Sequence, residues 1–159
     1  MKKKTTLHFE EVFTTALEHY FEKKYKDALE ILLNLQKMED LTDAQKADLL
    51  RRIADCNAYI DAKPELLELY DQALKLAGNV EFKRCWILAS KASTFAMLHR
   101  YAESFQTYAE AIQLTEDPDD LEHLQDCVYQ VISEQENFTR FGDIGDWKQR
   151  LLSKVTKKI

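Results

Sequence analysis

The sequence predicts an all-α chain built from helix pairs repeated in tandem, and three observations carry that prediction. Gly and Pro supply 5 of the 159 positions, about 3%, against a usual share of roughly 12%. Apolar positions fall into register when the chain is shifted by 38 and by 76 residues. Within each unit apolar residues recur at three- and four-residue steps, one stripe of a 3.6-residue period. A sheet protein needs closely spaced Gly, Pro and Asn-Gly turns, which this chain lacks. With 45% apolar and 31% charged residues, it has material for one packed domain spanning 1–159.

The register is read residue by residue. Val12, Leu50 and Leu88 align, as do Ala16, Ala54 and Ala92, then Phe21, Tyr59 and Met97. Leu29, Leu67 and Phe105 follow, with Leu32, Tyr70 and Tyr108, then Leu35, Ala73 and Ala111, and last Met38, Leu76 and Leu114. Alanine recurring where other helices carry Leu or Ile predicts a close helix crossing. The expected helices are roughly 7–22, 25–38, 43–61, 64–77, 80–98, 101–115, 118–137 and 144–157. They form units of about 7–40, 42–78 and 80–116, with a degenerate pair over 118–157. Thr42-Asp43-Ala44-Gln45 reads as a capping box. Pro64 suits a first helical turn, Gly78-Asn79 a stop followed by an N-cap, and Asp117-Pro118-Asp119-Asp120 a helix start with acids on its positive end.

Charge and motifs narrow the function classes. The net charge of −6 argues against nucleic acid and anionic membranes as partners. Lys2-Lys3-Lys4 and Lys157-Lys158 read as solvated ends. Glu10 and Glu11 fall where a signal peptide needs apolar residues, and apolar runs stop after four or five residues, so membrane insertion is not expected. Cys56, Cys85 and Cys127 lack any C-x-x-C spacing and read as thiols of a reducing, cytoplasmic environment. The three glycines, Gly78, Gly142 and Gly145, build no phosphate loop. No nucleophile elbow or Ca²⁺ loop is present, and His123 with Cys127 supplies only two metal ligands. No enzyme activity, cofactor or metal is expected.

At this point the units resemble the tetratricopeptide repeat (TPR). The third unit is closest, with Ala92, Tyr101, Ser104, Tyr108 and Ala111 at the signature positions. The first offers Ala16, Tyr25, Ala28, Leu32 and Leu35, and the second Ala54, Leu66, Tyr70 and Ala73, with Lys63 where an aromatic is expected. The step of 38 rather than 34 residues implies first helices about one turn longer than usual. The family glycine is Ala in all three units, and no proline closes any of them. The resemblance implies a right-handed α-α superhelix of antiparallel helix pairs whose concave side binds a protein or peptide. It places Phe13, Leu17, Phe21, Arg51, Arg52, Asp55, Tyr59, Trp86, Ser93 and Met97 near that side.

Of these, Phe21, Arg51, Arg52, Tyr59, Trp86 and Met97 are the candidate partner-binding residues. The competing reading of Arg51 and Arg52 is pairing with Asp48 and Asp55 along their own helix. TPR domains that grip the acidic tails of heat-shock chaperones carry a five-residue basic and Asn clamp. The matching positions are Phe13, Leu17, Arg52, Trp86 and Ser90, with one basic residue among five, which is not that clamp. The expected function is therefore a non-enzymatic adaptor or scaffold. A small secretion-type chaperone and a self-associating structural repeat (a homo-oligomer) are the alternatives.

Overall fold

The computed structural model describes residues 2–141, with side chains from Leu7 to Arg140. Among the described residues seven helices follow one another: α1 (Lys2–Phe21), α2 (Tyr25–Gln36), α3 (Asp43–Asp61), α4 (Leu66–Ala77), α5 (Glu81–Met97), α6 (Tyr101–Ile112) and α7 (Pro118–Phe141). No strand occurs among the described residues. Connections of three to six residues hold each helix against the one that follows it, and α3 also packs on α5, and α5 on α7. The eighth expected helix, 144–157, lies outside the described residues.

The helix ends show local chemistry at work. Thr42 Oγ1 accepts from the Gln45 amide at 3.1 Å while Gln45 Oε1 accepts from the Thr42 amide at 3.0 Å, a reciprocal capping box. Asp117 Oδ1 accepts from the amides of Asp119 and Asp120, at 3.0 and 3.1 Å, and starts α7 with Pro118 first in the helix. Lys23, at φ 62°, and His99, at φ 58°, take left-handed conformations that reverse the chain after α1 and α5.

Several expected boundaries shift. Pro64 precedes α4 rather than opening it, because amides 66 and 67 bond three residues back, to Lys63 and Pro64, in a tight turn before Leu66. The α5 N-cap is Val80, not Asn79, and its side chain offers no cap bond. Gly78 does end α4, at φ 58°, and Arg84 donates to the carbonyls of Leu74 and Gly78 at 3.3 and 3.1 Å. Helices α2 and α6 stop at Gln36 and Ile112, short of 38 and 115, since Met38 and Leu114 bond three residues back in a closing turn. In the other direction α1 begins earlier and α7 runs on to Phe141, as neither added stretch holds Gly or Pro.

In three of the seven aligned sets all members are buried. Ala16, Ala54 and Ala92 are all 0% exposed, and each sits in a different apolar cluster. Leu32, Tyr70 and Tyr108 are buried, as are Leu35, Ala73 and Ala111. Each cluster joins adjacent helix pairs: Phe9, Leu32, Leu49 and Ile53 in the first, Tyr70, Ala77 and Ile87 in the second, Leu88, Tyr108, Leu124 and Val131 in the third. A buried methyl occupies little space, and larger neighbours fill the rest of each cluster.

Candidate functional site: an arginine and aromatic groove

Helices α1, α3, α5 and α7 enclose an open groove of about 500 Å³. Phe21, Arg51, Arg52, Tyr59 and Trp86 all line it. Met97 lies next door, in a small cavity of about 40 Å³ that shares Tyr20, Tyr59, Ser90 and Ser93 with the groove. Five of the six candidates thus share one surface and the sixth lies directly behind it. Phe13 lines an adjoining recess of about 180 Å³ with Arg51, Arg52, Phe82 and Trp86, and stacks on Phe9 at 5.5 Å between ring centroids. Leu17 is half-buried on α1 and lines neither.

The arginines are fixed from behind by a buried network. The Tyr70 hydroxyl donates to Asp55 Oδ1 at 2.8 Å, and it shares a 2.9 Å hydrogen bond with Thr94 Oγ1. Ser90 Oγ donates to Asp55 Oδ2 at 3.3 Å and accepts from Arg51 Nε at 2.9 Å. Arg52 Nη1 reaches Asp55 Oδ2 at 3.5 Å, with Arg51 Nε 3.9 Å from the same oxygen. The along-helix pairing reading therefore holds for Asp55. It fails for Asp48, whose Oδ2 is taken by Lys83 Nζ at 2.8 Å. Asp55 is 5% exposed and stands behind the groove rather than in it. Desolvation, reinforced by the Arg52 charge, pulls the Arg51 pKa down, against the opposing pull of Asp55.

Aromatic rings surround this charged centre. Arg52 lies 5.0 Å from the Tyr20 ring centroid and 5.9 Å from that of Phe21, within cation–π range. Tyr25 and Tyr59 stack at 4.5 Å, and Tyr20 meets Tyr59 edge-on at 6.0 Å. Burial and the Asp55 charge push the Tyr20 hydroxyl well above its ordinary pKa, and it is hydrogen-bonded to Tyr59. Toward α7, Trp86 lies 5.6 Å from the His123 ring, and Cys127 Sγ is 3.9 Å from His123 Nε2. Desolvation raises the Cys127 thiol, which disfavours a thiolate.

Several groove residues escaped sequence reasoning. Phe82 is 66% exposed and Phe21 69%, and the two project from different helices into one space. Phe82 sits one turn before Trp86, a spacing that could have flagged it. Tyr108, His123 and Cys127 carried no such signal, because they reach the groove from α6 and α7 through packing alone. Among the described residues no group of three His, Cys, Asp or Glu side chains is arranged to hold a metal ion, and no described helix is long and apolar enough to cross a membrane. No family model matches this chain, and neither does any curated protein or solved structure.

Proposed function

We propose that this chain is a TPR-like helical-repeat module, without enzymatic activity, that binds a segment of another cytoplasmic protein in the groove between its odd-numbered helices. The observation that carries the reading is the convergence of Phe21, Tyr59, Phe82 and Trp86 around Arg51 and Arg52 on one concave surface. Exposed aromatics beside arginines are the composition of an interaction hot spot. Periodic burial of Ala16, Ala54 and Ala92 supports the repeat reading.

The test uses tagged full-length chain in an extract of its native cell, with bound proteins quantified. Phe21→Ala with Phe82→Ala removes two exposed rings and leaves the core untouched. The expected result is capture of a protein that this variant loses by about tenfold or more, equivalent to about 1.4 kcal/mol. Leu33→Ala, at an exposed α2 position, retains it. A partner held equally by all three forms would place the binding surface elsewhere.

A further inference from the structure

The groove carries an unspent set of hydrogen-bond donors. A guanidinium has five N–H donors, and Arg51 and Arg52 each commit one to the network behind them: Arg51 Nε to Ser90, and Arg52 Nη1 to Asp55. Among the described residues the Nη nitrogens of Arg51, and Nε and Nη2 of Arg52, have no hydrogen-bond partner. None of them is a fully buried orphan, so each keeps some contact with solvent, and both arginines line the groove. Two guanidiniums against one Asp55 carboxylate leave one positive unit, while the neighbouring Lys83–Asp48 pair is neutral. The side chains themselves are 19% and 16% exposed and held by Ser90, Asp55 and Tyr20, so little freedom remains to be lost on binding.

We propose that the groove recognises an acidic linear peptide, in which one side-chain carboxylate seats on Arg51 and Arg52 and flanking apolar side chains pack on Phe21 and on Phe82 with Trp86. This rests on the peptide-binding reading and specifies its partner. One unbalanced positive unit matches one carboxylate, whereas a phosphate would bring nearly two negative charges. Planar guanidiniums meet a carboxylate with parallel N–H donors. The net charge of −6 does not oppose this, because surface charges beyond a Debye length of about 8 Å are largely screened at physiological salt. Residues 142–159 are a poor occupant, since they carry five Lys and Arg against two Asp and would bring like charge to the arginines.

A random dodecapeptide library displayed on phage, selected on the immobilised full-length chain, is the test. The expected enriched peptides share one Asp or Glu with Phe, Trp or Leu on both sides. Changing that Glu to Gln in the best synthetic peptide weakens binding about tenfold. Arg52→Lys, which keeps the charge but loses the planar fork, weakens the Glu peptide and leaves the Gln peptide unchanged. Enrichment of acid-free or basic peptides, lost on Phe21→Ala with Phe82→Ala, overturns the acidic specificity while the peptide groove stands. No enrichment on the wild-type chain overturns both readings. A phosphoserine peptide bound about tenfold tighter than its Glu counterpart would reassign the groove to phosphopeptides. A doubled solution mass abolished by Phe82→Ala would reassign it to a second copy.

Discussion

Replacing Asp55 with alanine tests whether the groove is organised from behind. The carboxylate accepts from Tyr70 and Ser90 and faces both arginines, at 2.8, 3.3, 3.5 and 3.9 Å. After its removal Tyr70 still has Thr94, and Ser90 still accepts from Arg51, so neither hydroxyl is orphaned. The loss falls on two guanidiniums in a largely desolvated space without a counter-charge. Breaking a buried pair on one side costs about 3–5 kcal/mol; the residual exposure of both arginines favours the lower end. For a chain of this size that corresponds to a melting temperature about 6–20 °C lower. Asp55→Asn keeps an acceptor for Tyr70 and loses only the charge, so its cost is smaller, about 1–3 kcal/mol. Urea unfolding followed by circular dichroism at low and high salt is the assay, with a shared slope confirming a common unfolding transition. Salt should leave the difference nearly unchanged, because a pair this buried is poorly screened. An Asp55→Ala chain within about 1 kcal/mol of wild type would refute the claim that this carboxylate holds the arginines.

Three further outcomes follow from packing, titration and backbone geometry. Ala54→Leu inserts a larger side chain at a position with 0% exposure, beside Tyr70, Ala73 and Ile87. It should cost about 1–3 kcal/mol in thermal melts, and no loss would mean that the crossing is loose. Burial pushes the Cys56 thiol up from 9.0 to about 11. The folded state therefore keeps a proton that the unfolded chain releases first, and stability present below pH 9.0 falls as pH rises toward about 11. Cys56→Ala should flatten that alkaline decline in a pH series of urea midpoints, and an equally steep decline would show that the thiol does not titrate this way. Lys23 is exposed at φ 62°, so Lys23→Gly should relieve left-handed strain and raise stability by about 0.5 kcal/mol, net of glycine's greater unfolded-state entropy. A decrease measured by urea unfolding would show that the Lys23 side chain contributes more than its strain costs.

The helices were legible in the chain because their causes are local. A 3.6-residue apolar stripe, a Thr42–Gln45 capping box, an Asp117 cap and a scarcity of Gly and Pro each act within a few residues. The burial of Ala16, Ala54 and Ala92 was also readable, since a small residue recurring at a fixed step where other helices carry Leu or Ile predicts close approach of a neighbour. Helix ends were less so: closing turns at Met38 and Leu114, and the turn at Pro64, depend on small differences between three- and four-residue hydrogen bonds that tertiary packing decides.

The candidate site divides the same way. Adjacency of Arg51 and Arg52, and their reach to Asp55, are properties of one helix and follow from sequence spacing. That Ser90 should meet Arg51 across 39 residues, that Lys83 should take Asp48 across 35, and that Phe82 should face Phe21 are decided by how α3, α5 and α1 sit together. Periodicity determines which face of a helix is apolar. It does not determine which neighbour that face meets or at what rotation, because those are set by mutual fit of side chains far apart in the chain. The sequence by itself therefore determined an all-helical chain with buried alanines at a fixed step, and only the tertiary structure decided that two arginines would stand with most of their donors unspent between exposed rings.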